Sequence, residues 1–404
     1  MKSKQDVLFP IMVIMMCLVQ SFCSAFTNPM KPTGPLTNRI ITIEIAVVDV
    51  LRSLAIDKAD PVLNKVLLNT LERQKKEDKD FVTLFGESFA QLYPKAFLAP
   101  IFSSFELRER VSPTSTNAET LKVLDSEMNT VINQTLKILH TRIESLGVMN
   151  ANFQKLPLSN RYIITIQNVQ DPERLKKMLQ SSAKIGFWET YKLPDIFPFI
   201  ADADKKLQAI KPVAANVKKV NLFDLLMLSI DKDNKPLNHA TIGYAAVKDT
   251  SAIIKMLKME KLSFPRNLAF AWTIKPEKEK PLIHELMAIR ITTRDGLAPI
   301  EGDVIVDAKD TISSSGLVIL EMMMNAEGAR ILKRFTNDNI GNDIAIMIDG
   351  LVYANPQVLD QIPSGRISIT GGFTKEECHD LATMIKAGKL PVAVKVISDV
   401  ETVH

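Results

Sequence analysis

Few residues of this chain have the types and spacing that catalysis or metal binding requires. His284-Glu285 begins the HExxH pattern of zinc proteases, but the second histidine is missing, so we exclude that class. His140 and His379 fall on predicted helices, where we expect surface positions rather than metal ligands. The sequence contains neither a Gly-x-Ser-x-Gly elbow nor a Cys-x-x-Cys pair. We therefore predict that the protein is not an enzyme and that it uses no metal and no cofactor.

A calcium site and a nucleic-acid surface are also poorly supported. Asp231 and Asp233 resemble the start of a calcium-binding loop. However, Lys235 and Pro236 occupy positions where that loop needs an oxygen ligand and a glycine. The net charge of +4 is small for 404 residues, and the basic residues are spread along the chain without interleaved aromatic residues. We therefore expect no nucleic-acid partner.

The N-terminus has the order of a secretory signal. Two lysines precede an apolar run from Val7 to Val19, and small residues follow near Ala25. We expect 1–25 to be a cleaved signal peptide, although an uncleaved membrane anchor of similar length remains open. Both alternatives place the rest of the chain outside the cytoplasm. After cleavage Cys378 would be the one remaining cysteine, and its place on an apolar helix face predicts a buried free thiol.

The first half of the chain predicts a ferredoxin-like unit. A strand at 40–47 is followed by a long helix at 118–146, two strands at 152–156 and 161–167, a helix that begins at Asp171-Pro172, and a closing strand at 184–191. This order, β-α-β-β-α-β, is typical of a sheet with helices on one face. Residues 49–117 interrupt it as a helical insertion. We expect 193–240 to be a helical, surface-exposed connector.

The C-terminal part predicts a smaller α+β unit. Asp349-Gly350 separates two short apolar runs and is typical of a tight hairpin, because both turn positions need positive φ. Thr374 and Glu377 can form a capping box at the start of a helix. Gly388 then suits the end of that helix, and Pro391 prevents it from resuming. Taken alone, these residues predict turns, caps and core rather than chemistry.

Together, the residues of 339–391 resemble the periplasmic part of SecD, an accessory subunit of the bacterial Sec export machine. The closest similarity is to the subgroup in which SecD and SecF are fused, because DFVTLFGESF at 80–89 and LAPIFSS at 98–104 also match that subgroup. The residues of the SecD-like motif that we take as candidate site residues, structural or in a head domain, are Asn339, Gly341, Asp349, Gly350, Tyr353, Pro356, Gly365, Gly371, Phe373, Glu377, Gly388 and Pro391.

The resemblance implies an α+β protein with a base domain near the membrane and a head domain that binds unfolded or translocating polypeptide. It implies the Sec channel and separate membrane subunits as further partners, with membrane contact through the N-terminus if this is uncleaved. On this basis we divide the chain into a leader (1–25), a ferredoxin-like base (26–192), a connector (193–240), an intermediate α+β segment (241–297), a head-like domain (298–396) and a tail (397–404).

Two departures from SecD leave alternatives open. The family has a G-x-D-L-x-G-G stretch before its first strand, whereas 32–38 reads PTGPLTN without an acidic residue. The chain also ends at His404, so we expect no proton-conducting bundle within it. The chain could therefore be an export component, a secreted or surface interaction module with a SecD-derived fold, or part of a longer reading frame.

Overall fold

The structure is a computed structural model of the chain, and it describes residues 37–148, 150–157, 159–167, 169–209, 221–274, 283–370 and 373–403. The leader, 1–25, lies outside the described residues. None of the helices in the described ranges combines the length and apolar character needed to cross a membrane.

The α+β class predicted from the sequence is confirmed. The strands are β1 (Thr37–Ile45), β2 (Asn152–Lys155), β3 (Arg161–Gln167), β4 (Ile185–Thr190), β5 (Met227–Leu228), β6 (Thr241–Ala246), β7 (Leu268–Trp272), β8 (Ile283–Arg290), β9 (Ile300–Glu301), β10 (Ile305–Ile312), β11 (Val318–Met324), β12 (Ile344–Ile348), β13 (Leu351–Ala354), β14 (Arg366–Ile369) and β15 (Val394–Val403).

Helices connect these strands and cover their faces. They are α1 (Val47–Leu54), α2 (Pro61–Gln74), α3 (Phe81–Leu92), α4 (Ala99–Phe102), α5 (Asn117–Ser145), α6 (Pro172–Gln180), α7 (Leu193–Ala209), α8 (Leu222–Leu225), α9 (Thr250–Leu257), α10 (Ala326–Asp338) and α11 (Lys375–Ala387).

A four-stranded antiparallel sheet with the order β15-β1-β3-β2 forms the base of the molecule. Alternate residues such as Ile41, Ile43 and Ile164 are fully buried and face a core shared with α5 and α6. Helix α5 begins with the capping box of Thr116 and Glu119. Helices α1–α4 form the expected helical insertion, and their apolar residues join the same core.

The closing strand of this sheet differs from the sequence prediction. We expected residues 184–191 to form the closing strand of the base, but the strand that completes this sheet beside β1 is β15, which includes 397–403 of the expected tail. Strand β4 instead pairs with β12 and β8 in a second sheet. The physical reason is that Ile185, Gly186 and Phe187 are all buried, as is typical of a central strand covered on both faces.

The second sheet, of order β13-β12-β4-β8-β6-β5, joins the middle and the C-terminal parts of the chain. Helix α7 forms in the expected connector but is not exposed throughout, because Leu193, Ile196 and Ile200 are buried in a core with Ile242 and Ile253. A third sheet of order β10-β11-β14 packs against α11. The domain boundaries proposed above remain a prediction.

Two regions follow from this topology. We call residues 37–180 and 391–403, which build the four-stranded sheet and its helices, the base region. Residues 185–387 form the inserted region, because the chain leaves the base after α6 and returns to it only at β15. The exit segment is 181–184 and the return segment is 388–390. They lie side by side, since the Leu390 amide donates to the Ser182 carbonyl at 2.8 Å.

Candidate functional site at the junction of the two regions

The hairpin that was predicted at Asp349-Gly350 is present and reaches the exit segment. Asp349 has a φ of +51° and Gly350 a φ of +82°, as expected for a tight turn in which both positions are left-handed. Strands β12 and β13 pair on either side of this turn. The Asp349 amide donates to the carbonyl of Lys184 at 3.0 Å, which places the turn directly against the exit segment.

The Asp349 carboxylate holds the exit segment through four donors. Ser181 Oγ donates to it at 2.6 Å, and Ser182 Oγ also donates to it. The amides of Ala183 and Lys184 donate to the same carboxylate at 3.3 and 3.0 Å. Sequence reasoning identified Asp349 as a turn former but missed this second role. Asparagine would form the same turn equally well. The presence of a carboxylate at this position was therefore the only sequence signal for nearby hydrogen-bond donors.

Arg142 on α5 binds both the exit and the return segments from the side of the base. Its side chain is completely buried. Nη1 donates to the carbonyls of Met178 and Ser181 at 3.1 and 2.5 Å, and Nη2 donates to the carbonyl of Gly388 at 3.0 Å. Burial lowers the pKa of Arg142 to about 10, although the Asp349 carboxylate acts in the opposite direction. Arg142 lies three residues after the buried Leu139, so both residues are on one face of the helix. This spacing was the sequence signal for burial of Arg142, and we missed it.

Contacts beside the junction also join the two regions. Arg174 on α6 donates to both oxygens of Asp380 on α11, at 2.7 and 2.6 Å, and this bond raises the pKa of Arg174. Helix α6 is shared between two cores: Leu175 packs in the base core, and Met178 packs in the core of the inserted region. The partly buried Leu146 also contacts both cores. The regions are therefore packed against each other as well as linked by the chain.

Several other candidate residues lie at the ends of α11 or in the core beside it. Gly388 ends α11 with a φ of +91° and supplies the carbonyl that Arg142 binds. Glu377 completes the predicted capping box with Thr374. Burial, followed by the charges of Asp349 and Glu377, raises the pKa of Tyr353 to about 12. Phe373 is buried in the core of the inserted region.

The remaining candidate residues lie elsewhere. Asn339 is buried and donates to the Phe335 carbonyl at 2.8 Å. Gly365 has a φ of +68°, and a Cβ there would lie 2.8 Å from the Ala329 Cβ. Gly371 lies outside the described residues. Gly341 has positive φ, the Pro356 carbonyl accepts from Ile344, and Pro391 is exposed. Their functional roles remain a prediction.

Apolar side chains are exposed on the hairpin of β10 and β11. Val306, Ile312, Leu317 and Met323 are 56, 59, 57 and 39% exposed, and we call Ile312 and Leu317, which lie at the turn between β10 and β11, the hairpin surface. Among the described residues, β14 in the same sheet pairs with β11 and with no second strand. The outer backbone edge of β14 is therefore open to an added strand.

The described residues contain no cluster of three or more His, Cys, Asp or Glu side chains that could hold a metal ion. Cys378 is buried on α11, and burial, followed by the charge of Asp310, raises the pKa of its thiol to about 11. A thiol with that pKa is protonated at neutral pH and is a poor nucleophile. These observations describe a structural junction and an exposed apolar surface.

Comparison with known proteins identifies two matching family models. The model "SecDF, P1 head subdomain" matches residues 291–392, and the model "Protein translocase subunit SecDF, P1 domain, N-terminal" matches residues 132–192. The first covers the third sheet with α10 and α11, and the second covers the end of α5 through β4. The resemblance to SecD predicted from 339–391 is therefore confirmed.

Individual relatives agree with the family models. The chain is 28% identical over 385 residues to the protein translocase subunit SecD of Rhodothermus marinus, covering 89% of this chain and 60% of that protein. It is 35% identical over 124 residues to SecD of Dictyoglomus turgidum, covering 31% of each. A match to SecD of Syntrophobacter fumaroxidans is 37% identical over 99 residues, 24% of this chain and 18% of that protein. The chain thus spans only part of the length of these relatives.

Solved structures of SecDF are also similar to this chain. A crystal structure of SecDF in a super-membrane-facing form has a TM-score of 0.41 and 15% identity, covering 99% of this chain and 35% of that chain. A structure described as that of a membrane component SecDF that enhances protein export has a TM-score of 0.37 and 18% identity, covering 67% of this chain and 92% of that chain.

Proposed function

From its similarity to SecD, we propose that this protein is an accessory component of Sec-dependent export that contacts translocating polypeptide on the outer side of the membrane. The observation that carries the proposal is the match of two separate SecDF P1 models, one on the inserted region and one that runs from the base through the exit segment to β4. We further propose that the Sec channel and separate membrane subunits are its partners. The leader, 1–25, would direct the protein out of the cytoplasm, whether it is cleaved or kept as an anchor.

The direction in which the strands of the base region run supports this proposal. Thr37 at the start of β1 pairs with Val403 at the end of β15, so both strands leave the sheet at the same end. At the other end Ile45 pairs with Val394, close to the return segment. A strand of ten residues spans roughly 30 Å. The inserted region is therefore attached at the end of the sheet opposite to Thr37 and Val403, as a head facing away from an attachment surface would be.

We propose the hairpin surface as the place where an unfolded polypeptide binds. Its two exposed apolar side chains, Ile312 and Leu317, would be covered by apolar residues of the partner, which removes apolar area from water. The open edge of β14 offers backbone donors and acceptors to an extended segment. Such backbone pairing does not depend on partner sequence, which suits a protein that meets many different exported chains.

Binding of an unfolded polypeptide tests this proposal. The full chain is titrated against a labelled, reduced and alkylated polypeptide, and binding is followed by fluorescence anisotropy. We expect I312S/L317S to raise the Kd about tenfold or more, because two apolar contacts are lost. L359S is the matched control, since Leu359 is 82% exposed but lies outside the hairpin surface.

The outcomes separate the site from the function. If the double variant binds as tightly as the native protein, the hairpin surface is not the binding site. If the native protein does not bind unfolded polypeptide, the proposed function itself is wrong. Crosslinking in cells to secretory chains in transit supports the export role, whereas recovery from the medium without such crosslinks supports the secreted interaction module.

A further inference from the structure

The exit segment contains a strained backbone conformation. Ala183 has a φ of +55°, in the left-handed region that residues with a Cβ atom rarely adopt. It is also buried, with 3% of its surface exposed, so this conformation is enclosed by the protein. A strained residue persists only where its surroundings impose the conformation, and such residues are often part of a conformational device.

Two charged side chains impose this conformation from opposite sides. Asp349, from the inserted region, accepts the amides of both Ala183 and Lys184. Arg142, from the base, binds the carbonyl of Ser181, which is two residues before the strained position. The residues on either side of the left-handed turn are therefore held by groups that belong to different regions of the molecule.

Arg142 also determines how the exit and return segments lie together. It binds the Ser181 carbonyl in one segment and the Gly388 carbonyl in the other. The adjacent backbone bond, from the Leu390 amide to the Ser182 carbonyl, then closes the pair at 2.8 Å. Among the described residues, no carboxylate binds this fully buried guanidinium, which is costly, and none supplies a hydrogen-bond partner for the Arg142 Nε. The energetic cost of burying Arg142 indicates that this side chain is needed to hold the exit and return segments in place.

We propose that the exit segment is a strained connection held closed by Asp349 and Arg142, and that it opens at Ala183 when either contact is lost. In the open form Ala183 takes a negative φ, and the pairing of Ser182 with Leu390 is broken. Asp349 and Arg142 are thus positioning residues that hold the closed conformation of the exit segment, where the inserted region joins the base.

Hydrogen exchange of the full chain, measured by mass spectrometry, tests the proposal. In D349N the hairpin is retained because asparagine suits the same turn, but acceptors for the exit segment are lost. We expect peptides covering 181–184 and 388–390 to exchange about tenfold faster or more. The Leu390 amide is the informative reporter, since its acceptor is Ser182 and not the substituted residue. R142M should have the same effect, while peptides from β3 and β12 keep their protection.

A glycine substitution distinguishes strain from the simple loss of hydrogen bonds. Glycine adopts positive φ without the penalty of a Cβ atom. We therefore expect A183G/D349N to exchange more slowly in 181–184 and 388–390 than D349N alone. D303N is the matched control: Asp303 pairs with Lys389 of the return segment at 2.6 Å, and within the part of the chain that the structure describes it accepts no hydrogen bond from the exit segment. Its exit segment should exchange as in the native chain.

Two results would overturn the proposal. One is unchanged exchange of 181–184 and 388–390 in both D349N and R142M. The other is faster exchange in A183G/D349N than in D349N, which would show that Ala183 stabilises the closed form rather than straining it.

Discussion

At the scale of single residues, Arg142 shows how much of this structure depends on one buried charge. Its guanidinium binds three backbone carbonyls, those of Met178, Ser181 and Gly388. These acceptors lie at the end of α6, in the exit segment and at the end of α11, so one side chain joins three places in the fold. Each carbonyl would be left without this donor if the side chain were shortened.

The first prediction concerns the stability of Arg142 variants. We expect R142A to lower the free energy of unfolding by about 3 kcal/mol or more, because carbonyls and a cavity are left in the interior. R142M retains most of the side-chain volume and should lose less than R142A. Urea denaturation measures both. R110M is the control, because the Arg110 side chain forms an ion pair with Glu127 and is about half exposed. Equal stability of R142A and the native chain would contradict this account.

At the scale of secondary-structure elements, charged side chains hold β15 in the sheet. Arg39 on β1 donates to both oxygens of Asp399 on β15, at 2.6 and 2.9 Å. Lys176 on α6 lies 3.1 Å from the same carboxylate. The Asp399 side chain is only 8% exposed. Hydrogen bonding by Arg39, with a further contribution from Lys176, lowers the pKa of Asp399.

The pH dependence of stability follows from that pKa. Asp399 is ionised more readily in the folded protein than in the unfolded chain, so its contribution is fully present above its ordinary pKa of about 4. That contribution is lost as the pH falls through the lower pKa of the folded state. We expect D399N to be less stable at pH 7 by about 1–3 kcal/mol. The difference from the native chain should shrink below about pH 4. Thermal unfolding at several pH values checks this, and a difference independent of pH would contradict it.

At this scale the sequence could predict only local features, such as turns and helix caps. The Asp349-Gly350 hairpin and the Thr374–Glu377 capping box were found because their signals lie within a few residues. The partner of β1 could not be found in this way. Arg39 and Asp399 are 360 positions apart, and the order of elements favoured the nearer strand, β4. Arg142 and Ala183 were also missed, since neither burial of an arginine nor positive φ at an alanine follows from residue type.

At the scale of the whole molecule, the base and the inserted region have separate apolar cores, of which the inserted region contains more than one. The exit and return segments are hydrogen-bonded neighbours, through Leu390 and Ser182. Replacing the whole inserted region therefore requires only a short connection. Both features are typical of a domain that has been inserted into another at adjacent chain positions.

We predict that the base region folds without the inserted region. A variant that joins 37–183 to 389–403 through a short Gly/Ser linker should unfold cooperatively, because β15 can still pair with β1. It should be less stable than the native chain, since Met178 loses the core that covers it. Circular dichroism and urea denaturation measure both properties. The control ends at residue 183 and lacks β15; cooperative unfolding of that control would contradict the role of β15 as the closing strand.

The distance in sequence between β1 and β15 also has a consequence during synthesis. Because chains emerge from the N-terminus, β1, α5 and α6 are made long before the strand that completes their sheet. Until then β1 has an open edge, which is a site for mispairing with other strands. The inserted region can meanwhile fold around its own core. The sheet of the base region, whose first strand is translated early, is therefore completed only near the end of synthesis.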